Sequence, residues 1–285
     1  MILSRIRYRF LLVAGVMPYV LGAAAAHYTF GVLSIDRFVL GLIGVVGSLL
    51  GVETYNEFFE MRFGADQVFE FGPPPKIPVS AFVLGTFGFA IFVATGAYLA
   101  TLAGMLVLAL AAYGLMAAVF YVGPPIKWAY RGLGEPVIAL AYGPFMTIGA
   151  YYIQTASVNP QILLVSLIPT FLIFGVVLSN EIPDYYGDKL VAKMNIAVRL
   201  GQRRAAIVHR LVVSLAYVAL LLSAILGAIP LLALSSLITL PIAIWTLRVS
   251  SKHYEYPAEF IKSIRGTVAI YTLMLIMVSA AYFFS

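Results

Sequence analysis

Cysteine is missing from all 285 residues. Disulfides, thiolate-held zinc, iron–sulfur clusters and a cysteine nucleophile are therefore excluded. Charge is almost as scarce. Asp, Glu, Lys and Arg make up 11% of the chain, against about 25% in an average soluble protein. What fills the gap is apolar, with 62% hydrophobic residues and a mean hydropathy of +0.98. A water-soluble domain of this size has too little polar surface to hide that much apolar side chain. A soluble enzyme and a disordered chain are both excluded. Histidine is rare as well. His27, His209 and His253 fall at predicted helix ends with no shared spacing, so no imidazole metal site is expected.

A bilayer core needs about 20 apolar residues per helix. Runs of that length are read at 10–30, 36–55, 79–100, 102–121, 133–155, 160–180, 205–227, 229–248 and 266–284. Their length selects helices over barrel strands, which show alternation over about ten residues. The expectation is an all-α polytopic membrane protein. Nine transmembrane helices would surround a central cavity open to the cytoplasmic side, in one domain over 1–285. The long stretches 79–121 and 205–248 are each split in two, near Thr101–Gly104 and at Gly227–Pro230. Arg5, Arg7 and Arg9 ahead of the first run imitate a secretory leader, but that run is longer than a typical leader core and is read as a span.

The charges are sided. In this arrangement every basic residue except Arg37 falls on the face that carries the N-terminus. The positive-inside rule then puts that face in the cytoplasm and the C-terminus outside, with the cell membrane as the expected location. The acids follow, Asp36 excepted, although no topology rule requires it. The net charge of +6 reflects this sidedness and implies no nucleic-acid partner. Nothing calls for an obligatory protein partner.

Two acidic clusters resemble one another. Asn56-Glu57-Phe58-Phe59-Glu60, followed by Arg62 and Asp66, sits at the end of the second run. Asn180-Glu181-Ile182-Pro183-Asp184, followed by Asp188 and Lys189, sits at the end of the sixth. Both begin Asn-Glu and place an acid four residues after the Asn. They lie four helices apart, which points to an internal pseudo-repeat of helices 1–4 and 5–8, with helix 9 added. Residues four apart share a helix face, so Asn56 pairs with Glu60 and Asn180 with Asp184. Asp184 pairs with Asp188 if Pro183 and Gly187 do not break the helix. Clustered carboxylates repel unless a cation joins them, and hard oxygen ligands select magnesium or calcium. Magnesium takes a few carboxylates and completes its shell with phosphate and water. Acids at membrane depth cost about 2.5–3.5 kcal/mol on insertion scales, which favours a functional reading. The structural alternative is ion pairing with Arg62, Lys189 and Lys193. A third stretch, Tyr121 to Pro136, joins the fourth and fifth runs. It is stiffened by Pro124-Pro125 and carries Lys127 and Arg131, either of which can meet phosphate oxygens or anchor the loop. Gly47-x-x-x-Gly51 in the second run allows close helix packing. Pro73–Pro75 is read as a rigid loop or lid.

Together the three segments resemble the UbiA superfamily of intramembrane prenyltransferases, with its N-D-x-x-D and D-x-x-x-D motifs and a Tyr–Lys loop. The matching positions are Asn56/Glu57/Glu60/Asp66, Asp184/Asp188 and Tyr121/Lys127. Glutamates replace the usual aspartates in the first motif. Gly64 with Asp66, and Tyr130-Arg131-Gly132-Leu133-Gly134-Glu135, are similar to the dihydroxynaphthoate branch of menaquinone biosynthesis. The resemblance implies Mg²⁺-dependent transfer of an isoprenoid chain from an allylic diphosphate to an aromatic quinone precursor, with release of pyrophosphate. It implies metal ligation by Asn56, Glu60, Asp66, Asp184 and Asp188. It implies substrate contacts from Asn56, Arg62, Tyr121, Lys127, Asn180 and Lys189, with Tyr121, Lys127 and Asp184 carrying the reaction. The apolar tail is expected to leave sideways into lipid. A glycerol-type ether-lipid acceptor stays open within the superfamily. A small secondary transporter is the alternative of another class, and the nearly uncharged outer face argues against it.

Overall fold

The computed structural model describes residues 2–31, 33–63 and 79–285, with side chains from Ala14 onward except that of Phe63. Asp66, Gly64 and Pro73–Pro75 lie outside the described residues. Among those described there is no strand. The helices are α1 (Ile2–Phe30), α2 (Ile35–Phe63), α3 (Val79–Ala103), α4 (Leu106–Val119), α5 (Gly134–Leu140), α6 (Met146–Thr155), α7 (Pro160–Glu181), α8 (Tyr185–Leu190), α9 (Ile196–Leu200), α10 (Gln202–Ile225), α11 (Leu240–Lys252) and α12 (Pro257–Phe284). A π-helical turn, Ala141–Phe145, links α5 to α6, and a 3₁₀ stretch, Leu231–Thr239, leads into α11.

Seven rods among the described residues are long and apolar enough to cross a membrane. They are α2, α3, α5–α6, α7, α10, α11 with its 3₁₀ lead-in, and α12. At 14 residues, α4 is shorter. Local chemistry sets the ends. Gly104 at φ +120° breaks the chain between α3 and α4, and Gly227 at φ +66° follows α10. Asn159 caps α7 by accepting the Ile162 N–H at 2.8 Å, and Pro160 opens the helix where its missing N–H costs nothing. Pro144 falls within the π-helical turn, where the regular ladder is already interrupted.

The most enclosed of the apolar rods is α7, whose Ile168, Leu172 and Val176 are fully buried. It packs on α10, α12, α1 and α5. Tyr271 of α12 ties to α1 by donating to the Ala14 carbonyl, and Tyr282 donates to the Ala228 carbonyl at 2.6 Å. Lipid tails are as apolar as leucine, so membrane helices associate through close packing and buried polar contacts. Both devices are present. Gly47 of α2 and Gly88 of α3 face one another backbone to backbone, and a Cβ at Gly88 would lie 2.5 Å from the Gly47 carbonyl oxygen. Between α10, α11 and α12 a polar knot is built on His209.

His209 lies inside α10 and is fully buried. Its Nδ1 bonds the Ser250 hydroxyl and its Nε2 the Thr267 hydroxyl, each at 3.0 Å. Both ring nitrogens are thus satisfied, and its role is to join three helices. The sequence predicts it at a helix end; the helix instead begins at Gln202, two turns earlier. Replacing His209 by leucine removes the ring partner of the buried Ser250 hydroxyl, at about 1–3 kcal/mol, while the Thr267 hydroxyl keeps its bond to the Ser263 carbonyl. A lower thermal unfolding midpoint in detergent is the expected result.

Candidate active site

Helices α2, α3, α4, α5–α6, α7, α8 and α12 enclose a cavity of about 1250 Å³. One end is polar. Its lining there carries the carboxylates of Glu53, Glu57, Glu60, Glu181, Asp184 and Asp188, against the cations Lys193 and Arg265. The other end is lined by small and apolar residues of α2, α3, α4 and α6, and reaches Tyr19 and Gly41.

Two helix ends deliver the acids. On α2 the helix runs unbroken past Asn56 and Glu60, which are 8% and 5% exposed and point into the same space. The Asn56 Oδ1 is buried with no hydrogen-bond donor. On α7 the helix stops at Glu181, and Pro183 falls in the turn before α8. That break separates two residues that a continuous helix would have placed alike. Asp184 is exposed, whereas Asp188, on α8, is buried.

Asp188 is held from two sides. Asn195 Nδ2 donates to its Oδ2 at 2.6 Å, and Lys193 Nζ stands 3.6 Å from its Oδ1. Asn195 is itself fixed, since its Oδ1 accepts the Val198 N–H at the start of α9. Burial raises the Asp188 carboxyl above the usual range, and the Glu60 carboxylate adds to this, while Lys193 and Asn195 offset part of it. Asp188 on α8 and Glu60 on α2 line the same cavity.

Deeper in the wall, Glu135 and Glu181 bring their carboxyl groups side by side. Glu135 is fully buried and its Oε1 accepts the Ile196 N–H at 2.6 Å. This bond fastens the start of α9 to α5, and so fixes the segment that carries Asn195. Sequence spacing gives no hint of it, because the two partners are 61 residues apart.

The loop after α4 folds back on itself. Trp128 N–H donates to the Phe120 carbonyl and Ala129 N–H to that of Tyr121, both at 2.9 Å. Tyr121 is thereby buried at the cavity wall, in line with Asn56, Glu60, Asn180, Asp184 and Asp188. Three other residues named from the sequence are not brought there. Arg62 and Lys189 are exposed, and Lys189 lies over the Tyr185 ring at 5.7 Å. Lys127 Nζ lies 5.3 Å from the centre of the Tyr130 ring, outside the lining. In their place stand Lys193 and Arg265. Lys193 was legible only as an ion-pair partner, and Arg265 carried no motif at all.

Residues 15–264 match the model of the UbiA prenyltransferase family. The chain belongs to that family. Among curated proteins it is similar to the 2-carboxy-1,4-naphthoquinone phytyltransferase of Arabidopsis thaliana chloroplasts, 26% identical over 84% of this chain and 65% of that one. It is also similar to the 1,4-dihydroxy-2-naphthoate octaprenyltransferase of Bacillus subtilis, 24% identical over 73% of this chain and 68% of that one. The chain thus spans about two thirds of the length of these relatives, slightly less for the plant protein. Among solved structures, the apo form of a UbiA homologue from Aeropyrum pernix K1 shares the fold, with a TM-score of 0.70 at 17% identity over 96% of this chain and 97% of that one. A UbiA homologue from Archaeoglobus fulgidus, bound to GPP and Mg²⁺, gives a TM-score of 0.58 at 18% identity over 96% and 99%.

The donor set of this UbiA-family cavity suits a hard divalent cation. Six acidic side chains against two basic ones line a partly buried space rich in oxygen donors, and Asn56 offers an unpartnered oxygen. Among the described residues, no three acids or histidines converge closely enough to cage an ion by themselves. Mg²⁺ usually takes one or two carboxylates and relies on substrate phosphates and water for the rest.

Proposed function

We propose that this chain transfers an isoprenoid chain from an allylic diphosphate to an aromatic acceptor of the naphthoate type, releasing pyrophosphate as the allylic C–O bond breaks, with the displaced ring substituent leaving as H⁺ or CO₂. One observation carries the reading: two acid-bearing helix ends share a single cavity that continues into an apolar chamber. A diphosphate head and a polyisoprenoid tail need those two environments, joined. The names of the naphthoate-acting relatives point the same way.

In this reading Asn56, Glu60, Asp66, Asp184 and Asp188 hold Mg²⁺ and the diphosphate. When bound, Mg²⁺ neutralises charge on the departing pyrophosphate. Lys193 and Arg265 line the same polar end and add hydrogen bonds to phosphate oxygens, with Asn180 beside them. Lys127 joins them once it leaves the face of Tyr130; Arg62 and Lys189 meet the diphosphate only by swinging in from the surface. Tyr121 presents its ring to the allylic carbon as positive charge develops there, and aromatic faces favour a cation. The apolar wall keeps water away from that carbon.

Adding α1 and α4 to the seven rods gives nine transmembrane helices in one domain over 1–285, with the two motifs as pseudo-repeats. The sided basic residues place the N-terminus and the acidic end of the cavity in the cytoplasm and the C-terminus outside, in the plasma membrane.

The test is direct. Protein in lipid nanodiscs is given allylic diphosphates of several lengths with 1,4-dihydroxy-2-naphthoate, 4-hydroxybenzoate or glycerol phosphates. Mass spectrometry should find a prenylated naphthoate, lost with EDTA and regained with Mg²⁺. Absence of product from every combination overturns the reading, and solute flux into liposomes without chemistry would replace it by transport.

A further inference from the structure

Helix-interior glycines face the cavity at three points where helix packing does not demand them. They are Gly96 on α3, Gly114 on α4 and Gly149 on α6. At Gly47 and Gly88 a Cβ would collide with backbone. At these three it would meet only ordinary contacts, 3.6 Å from Ala111 Cβ, 3.7 Å from Phe92 Cζ and 3.7 Å from Leu110 Cδ1 respectively. Glycine is among the least favourable residues in a helix interior. Three of them, on three helices around one void, keep that void wide.

The void is also long. The α2 residues that line it run from Asn56 to Gly41, about 22 Å at 1.5 Å per residue. Along α4 and the turn that follows it the lining runs from Tyr121 back to Val107, a similar length. At the far end Tyr19 is held in place, its hydroxyl donating to the Phe38 carbonyl at 2.8 Å. At the near end the buried, donorless Asn56 Oδ1 faces in. The depths of the glycines differ. Gly114 lies about 10 Å along the chain from Tyr121, and Gly149 packs at Leu110, one helical turn of about 5.4 Å deeper.

We infer that the prenyl tail runs inward along this chamber toward Tyr19, and that Gly114, Gly96 and Gly149 set its bore and so select a donor of several isoprene units. This rests on the prenyl-transfer reading above, and it differs from the sideways exit the sequence suggested.

The experiment compares geranyl, farnesyl and geranylgeranyl diphosphates in nanodiscs with wild type, Gly114→Leu and Gly149→Leu. Wild type should favour geranylgeranyl diphosphate. Gly114→Leu should lower kcat/KM for geranylgeranyl relative to geranyl by about tenfold or more, since even one methylene in a tight pocket is worth that much. Gly149→Leu should spare farnesyl and act on geranylgeranyl, because its block is deeper. Equal loss for all three donors, or an unchanged ratio, overturns the inference while leaving prenyl transfer intact. No transfer by wild type overturns both. A second measurement does not depend on chemistry. Gly114→Ala and Gly149→Ala should raise the thermal unfolding midpoint, because alanine suits the helix better and the space is there. A fall would show that packing requires the glycines, and would overturn the inference as well.

Discussion

If the chain carries out the prenyl transfer proposed above, Asp188→Ala is expected to lower pyrophosphate release by about a hundredfold or more, a loss of the size seen when one preorganised electrostatic partner is removed from a reacting centre. The expectation follows from how Asp188 is held. It is buried, held by Asn195 and Lys193, and lines the same cavity as Glu60. Its loss also leaves Asn195 Nδ2 and Lys193 Nζ without the acceptor they share. Asp184 is exposed, so Asp184→Ala should cost less than Asp188→Ala. Asn195→Ala, acting through Asp188, should raise the Mg²⁺ concentration needed for half-maximal rate by about 10–100-fold, the usual cost of removing a residue that orients a ligand. Stopped assays across a Mg²⁺ series, with unfolding midpoints as the folding control, check this ordering. Asp188→Ala turning over at close to the wild-type rate would show that the α8 carboxylate does not serve the reaction.

Gly88→Leu is expected to prevent stable assembly, at a cost of at least about 3 kcal/mol, toward the upper end for overpacked sites. The atoms in the way are backbone: the Gly47 carbonyl oxygen at 2.5 Å and the Gly51 nitrogen at 3.1 Å from the added Cβ. No rotamer change relieves that, so α2 and α3 must part. Because α2 also carries Asn56 and Glu60, the variant should lose both yield in detergent and any transfer by the fraction that survives. Gly114→Ala provides the contrast, a glycine on the same group of helices that accepts a methyl. Equal expression and equal unfolding midpoints for Gly88→Leu and wild type would show the α2–α3 crossing to be looser than its geometry.

The helical class and the breaks at Gly104 and Gly227 were legible in the sequence, because a bilayer imposes a length on apolar runs and glycine marks their ends. The paired Asn–acid clusters were legible for a similar reason: four-residue spacing puts side chains on one helix face. Other features were not. Pro183 gave warning of a break, but not that it would bury Asp188 and expose Asp184. The Asn195–Asp188 and Glu135–Ile196 bonds follow from how α8 and α9 fold back on α5 and α7, and no local pattern encodes them. His209 read as a residue at a helix end and proved to be a junction of three helices.

Sequence alone determined the solvent this chain is built for, the kind of element that spans it and the hard-oxygen character of its polar residues, since these depend on composition and on spacing along one helix. Tertiary structure decided which of those residues meet. It chose Lys193 and Arg265 over Arg62 and Lys189 for the cavity, and separated the glycines that lock helices from those that leave space. Those outcomes depend on distances between helices far apart in the chain, which the packing of all of them fixes together.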